Sequence, residues 1–125
     1  MSPLLKRGLT FAALALALAL AANKSNPLAG RVAGAPVECI SLAPGATNGP
    51  QIVDDHTILY RQSGKRIWRT GPVGTCPGLR PLATMIVDVY GSQLCHNDRF
   101  RTIEPGMSIP SASCRLDRFT PYDKK

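Results

Sequence analysis

Two aspartates beside a histidine, Asp54-Asp55-His56, form the densest polar cluster in the chain. Carboxylates next to an imidazole suit general acid–base work or the holding of a hard cation. Successive residues of an extended segment point to opposite faces, however, which keeps Asp54 and Asp55 from converging on one ligand. Aspartates placed ahead of a run such as Thr57-Ile58-Leu59-Tyr60 more commonly cap the turn that leads into it. A small basic hydrolase or nuclease would combine His56 with His96 and neighbouring aspartates, Asp98 among them. Nothing in the spacing draws these groups together. No serine stands in a G-x-S-x-G setting, so no nucleophile elbow is written into the sequence.

The stronger candidate is a basic, aromatic hairpin. Thr57–Arg61 and Arg66–Thr70 are β-branched and aromatic runs flanking Gln62-Ser63-Gly64-Lys65, which predicts a turn at Ser63-Gly64. A two-residue loop sets Tyr60 opposite Ile67, Leu59 opposite Trp68 and Arg61 opposite Arg66. Arg61, Lys65, Arg66 and Arg69, with Trp68 among them, then make a surface for a phosphate, a polyanion or an anionic lipid face. The plainer role for such charges is to keep a solvated hairpin edge from aggregating.

Four cysteines, Cys39, Cys76, Cys95 and Cys114, are far apart. Zinc sites take thiolates in close pairs, and there is no C-x-x-C here. The spacing therefore predicts two disulfides and no metal or other cofactor. Four cysteines allow three pairings. The expected one is nested, Cys76–Cys95 inside Cys39–Cys114, tying the first strand to the last.

The amino-terminal segment fixes the compartment in which such pairing takes place. Lys6 and Arg7 precede an apolar run from Leu9 to Leu20, and Ala19-Leu20-Ala21 offers a small-x-small cleavage site. The run is shorter than the roughly 20 residues of a membrane-spanning helix, and no cysteine follows it to take a lipid. Residues 1–22 are expected to be a signal peptide, 23–36 a flexible leader, 37–122 one domain and 123–125 a frayed tail. Loss of Lys6 and Arg7 takes the net charge from +7 to +5. That favours an acidic partner, such as an anionic envelope component or another periplasmic protein, and demands no nucleic acid.

Within the domain the chain alternates short apolar runs with glycine- and proline-rich turns. Val37–Leu42, the two hairpin runs, Thr84–Tyr90, Leu94-Cys95, Arg99–Ile103 and Cys114-Arg115-Leu116 are the predicted strands. In the fourth of these, Met85, Val87 and Val89 share a face. No segment has sustained helical periodicity. The expected fold is mostly β: a small antiparallel sheet or partly open barrel stapled by two disulfides.

Several segments in order, Val53-Asp54-Asp55 with Thr57-Ile58-Leu59-Tyr60, Cys76-Pro77-Gly78-Leu79, Leu94-Cys95 with Asp98, and Ser113-Cys114-Arg115-Leu116 with Phe119-Thr120-Pro121, carry a resemblance. From about Val37 to Pro121 the chain resembles a family of small exported four-cysteine proteins of unknown function from Gram-negative bacteria. It departs from the pattern at Arg99-Phe100-Arg101 and at Arg115-Leu116-Asp117. The resemblance implies a periplasmic or secreted address and no activity. A non-catalytic domain that binds an envelope component, or plays a structural part there, is the expectation; the hydrolase or nuclease is the alternative.

Overall fold

Short β-branched runs broken by glycine and proline can form strands but not helices, and that is what the chain does. The structure, a computed structural model, describes residues 26–125; the expected signal segment lies outside them. Ten strands follow one another: β1 (Arg31–Ala33), β2 (Cys39–Ser41), β3 (Pro50–Ile52), β4 (Ile58–Arg61), β5 (Arg66–Thr70), β6 (Thr84–Val87), β7 (Gln93–Cys95), β8 (Arg99–Ile103), β9 (Cys114–Arg115) and β10 (Thr120–Lys124). No helix occurs among the described residues. All pairings are antiparallel. The strands make three open sheets, in the orders β1-β10-β5-β4-β3, β2-β7 and β6-β8-β9.

One face of the five-stranded sheet supplies Ile52, Ile58, Tyr60 and Trp68 to the core. Ile40, Leu94, Phe100, Leu79, Leu116 and Phe119 supply the rest. Tyr60 meets Phe119 edge-on, with ring centroids 6.2 Å apart. Phe100 and Thr102, expected on one face of their strand, are both buried, while Arg99 and Arg101 between them are exposed.

Both ends of the domain differ from expectation. Part of the supposed leader is β1, and Asp123 and Lys124 of the supposed frayed tail complete β10, which lies between β1 and β5. The reason is packing and pairing across the chain. Pro121 is buried opposite Trp68, and Val37 and Phe119 exchange backbone hydrogen bonds of 2.8 and 3.0 Å. Arg66 grips Asp123 with two charge-assisted bonds, Nε–Oδ1 at 2.7 Å and Nη2–Oδ2 at 2.8 Å. Arg31 adds donors to the carbonyls of Gly64, Lys65 and Tyr122.

The hairpin forms where predicted but one residue out of the expected register. Tyr60 faces Trp68, Leu59 faces Arg69 and Arg61 faces Ile67. Ser63 explains the longer loop, because its hydroxyl accepts from the N–H groups of Lys65 and Arg66. A one-residue slip changes which side chains share a face. Here it puts both aromatic rings on the core side and separates Arg61 from Arg66.

The cysteine pairing also differs: the bonds are Cys39–Cys95 and Cys76–Cys114, not Cys76–Cys95 and Cys39–Cys114. Cys39 sits directly opposite Cys95 in the β2–β7 ladder, so the first cysteine strand pairs with β7. Cys114 pairs with Phe100 of β8 instead, and the chain then runs on to become β10. The two linkages interlace, across sequence separations of 56 and 38 residues. On the loop-length relation each removes about 4 kcal/mol of unfolded-chain entropy. Paired cysteines of this kind are a mark of an oxidising compartment.

Tryptic digestion without reduction tests the pairing. Cys76 and Cys95 share one tryptic peptide, Thr70–Arg99, because Arg80 precedes proline. Interlaced bonds hold three peptides together, and cleavage at Met85 then leaves Cys39 with Cys95 and Cys76 with Cys114. Release of Thr70–Arg99 as a single internally bridged peptide would restore the nested pairing.

Candidate functional site

The face of the five-stranded sheet turned away from the core carries Leu59, Ile67 and Arg69. Register fixes this, since residues directly opposite in a ladder share a face, and Arg69 is opposite both Leu59 and Thr120. Leu59 and Ile67 are fully buried and Arg69 is half-buried. Two recesses meet at Arg69. One, of about 330 Å³, runs past Pro27, Leu28, Val53, Asp54 and Thr57. The other, of about 360 Å³, is more polar and runs past His56, Gly71, Asp117, Arg118 and Thr120.

His56 reaches this second cleft through a capped turn. Asp54 Oδ1 accepts from the His56 N–H at 2.8 Å, the Asx turn expected of this segment. That N–H is the first cause holding the Asp54 carboxyl below its ordinary range. Asp55 turns instead to the exposed His56 ring, 3.2 Å from Nε2. The His56 carbonyl lies so close to Gly71 that any Cβ there would overlap it. On the far wall, Thr70 Oγ1 donates to the Asp117 carbonyl at 2.9 Å and the Asp117 N–H to the Gly71 carbonyl at 2.9 Å. Asp117 Oδ1 accepts from the Arg118 N–H at 2.7 Å.

The cations of the cleft are not equivalent. Arg118 Nε donates to Glu38 Oε1 at 2.6 Å, which raises its own pKa and is the first cause lowering that of Glu38. Glu38 Oε2 also meets His96 Nδ1 at 3.1 Å, while His96 Nε2 lies 3.9 Å from Asp117 Oδ1. Arg69 has much less. Its one side-chain partner among the described residues is the Thr57 hydroxyl, at 3.5 Å, the outer limit for a hydrogen bond. A half-buried guanidinium with most of its donors unused is poised for a carboxylate or phosphate.

The hairpin's charges are thus divided between two faces and do not form one patch. Arg69 reaches the clefts. Arg61 and Lys65 are exposed, and Arg66 is committed to Asp123 on the core-side face. Trp68 is only 8% exposed, in the core, with its Nε1 donating to Gln62 Oε1 at 2.7 Å and the Arg66 guanidinium 5.2 Å over the ring. It presents no binding face. The two histidines go to different carboxylates, His56 to Asp55 and His96 to Glu38. Sequence reasoning missed Thr70, which follows Arg69 in β5, and Asp117, Arg118 and Thr120, which only the return of the chain into β10 beside β5 brings to Arg69. Among the described residues no group of three or more His, Cys, Asp or Glu is placed to hold a metal, and no helix is long and apolar enough to cross a membrane. No protein-family model, curated protein or solved structure matches the chain.

Two measurements test this account. Gly71→Ala should cost about 1–3 kcal/mol, as overpacking does, and shift the His56 ring resonances; an unchanged denaturation midpoint would contradict the close approach. Glu38, Asp54 and Asp123 all have folded pKa values below their ordinary ones. Their stabilisation is therefore fully present above about pH 4.5 and is lost as pH falls through the depressed folded values. Melting temperature should fall as pH is lowered below about 4.5, and Asp123→Asn should flatten that slope. An equal slope in the variant would remove the Arg66–Asp123 pair from the explanation.

Proposed function

We propose that this is an exported, non-catalytic binding domain of the periplasm or medium of a Gram-negative bacterium, taking an anionic group of an envelope component or partner protein against Arg69. The unused guanidinium at the meeting of two recesses carries the reading. His56 and Arg118 border the same cleft and add donors around an incoming anion. Asp117 opposes them, which favours a partner that brings a hydrogen-bond donor beside its acid. The disulfides, the basic balance of the chain and the apolar run before Asn23 support the address.

A hydrolytic reading has one observation in its favour: His96 stands between two carboxylates, Glu38 and Asp117. The larger polar cleft, however, is bordered by His56, so the histidine with the better-oriented ring is not at the recess. Binding needs only the arginine already there.

Matched single-charge variants decide the point. Arg69→Gln and Arg61→Gln change net charge identically, but only Arg69 reaches the cleft. Affinity for a short heparin fragment and for vesicles containing anionic lipid should fall about tenfold or more in the Arg69 variant, the loss of a charge-assisted bond. The Arg61 variant should follow the small decrease expected of charge alone. Equal losses in both would reduce the binding to non-specific attraction.

A further inference from the structure

A further recess, of about 220 Å³, opens on the other side of the molecule and is lined mainly by apolar groups, among them Leu42, Pro50, Tyr60, Val87, Val89 and Leu94. It is smaller than most small-molecule clefts, which run from about 300 Å³ upward; one large side chain fills it. Tyr60 forms part of its wall. The residue is only 2% exposed, and its hydroxyl is buried without a hydrogen-bond partner among the described residues. Burial also raises the phenol's pKa well above its ordinary value, so the group is a neutral donor. A buried hydroxyl left unsatisfied is costly.

The strand beside the recess is the longest unguarded edge strand among the described residues. Other terminal strands are blunted or shorter: β3 begins with Pro50, β1 begins with Arg31 and has three residues, β9 has two, and β2 and β7, which also lack proline and charge, have three each. Thr84-Met85-Ile86-Val87 of β6 carries neither proline nor charge, the devices that normally guard an edge. Ile86 faces Arg101 in the β8 ladder and the Asp88 N–H donates to the Arg99 carbonyl at 2.9 Å. By the alternation of an antiparallel ladder, the N–H and C=O groups of Met85 and Val87 then point away from β8. Arg99 and Arg101 are exposed and form no ion pair among the described residues.

The geometry points to β6 as a docking edge for an extended segment of an acidic partner polypeptide. That segment adds a strand to the sheet and sinks one large side chain, ending in a hydrogen-bonding atom, against Tyr60. Strand addition supplies main-chain bonds, and the recess reads one side chain of the added strand. A second copy of this chain is a poorer occupant, because pairing β6 with itself brings two Arg99–Arg101 rows toward each other on a chain that stays basic, at +5, after loss of Lys6 and Arg7.

The test uses a probe peptide about nine residues long, a strand's length, alternating valine and glutamate around a central tyrosine. Versions with central phenylalanine, or with lysine for glutamate, are the controls. Wild-type protein should bind the tyrosine peptide about fivefold more tightly than the phenylalanine peptide, the worth of one hydrogen bond. That preference should vanish in Tyr60→Phe, which removes an orphan hydroxyl and should fold at least as stably. The amides of Met85 and Val87 should gain protection from hydrogen exchange when the peptide is bound. The inference is overturned if the tyrosine preference survives in Tyr60→Phe, if the lysine peptide binds as well as the glutamate one, if the protection falls on another strand, or if the protein alone dimerises through β6. Because Arg69 lies on the opposite face of the five-stranded sheet from Tyr60, failure here leaves the Arg69 site untouched, and Arg69→Gln should leave the tyrosine preference unchanged.

Discussion

The Cys39–Cys95 and Cys76–Cys114 bonds cross one another along the chain, and the rest of the fold is organised around that crossing. One bond fixes β2 to β7; the other fixes the loop at Cys76, just before Leu79, to β9. Between them lie Leu94, Phe100, Leu79 and Leu116, all essentially inaccessible to solvent. A nested pairing would have left an inner loop able to open by itself. An interlaced pairing gives no such independent piece: one link lies inside the β2–β7 pair, and the other ties β9 to the loop that follows β5. For a chain of 125 residues without a helix in its described part, core burial alone gives a thin margin. The crosslinks shift that margin by constraining the unfolded chain.

Charge follows the same logic of distance along the chain. Arg66 and Asp123 are far apart in sequence but opposite in the β5–β10 ladder, and they neutralise one another. Arg118 is likewise neutralised by Glu38. Arg69, two residues from Arg66, faces Leu59 on one side and Thr120 on the other. Its neighbours in the ladder offer no carboxylate, unlike Asp123 opposite Arg66; Arg61, opposite Ile67, has none either but is exposed and away from the clefts.

Local physics was legible in the sequence where it was local in origin. The hairpin, the Asx turn at Asp54, the inward face of Phe100 and Thr102 and the absence of helix all follow from spacing within a few residues. Whatever depended on partners distant in sequence was not. Ser63 moved the hairpin register by one residue, a side-chain preference too small to outweigh the common two-residue loop when read alone. Trp68, an exposed aromatic in the expected register, became a core residue in the observed one. The pairing of the cysteines depended on whether β2 met β7 or the chain's last strand. Nothing near Cys39 encodes that choice. The Arg69 cleft was illegible for the same reason, since half its wall arrives with β10.

That strand has a consequence for when the protein can fold. β10 sits inside the largest sheet, between β1 near one end of the described chain and β5 in its middle. Neither β1 nor the outer side of β5 has a partner until residues 120–124 are in place. A chain emerging from a ribosome or a translocation pore amino end first can therefore make the β3–β4–β5 meander early, but not the finished sheet. Folding waits for residues 120–124 to clear, and the thread stays pliable until then. For a protein exported as proposed, such delay keeps the order of events correct: passage, then assembly, then crosslinking.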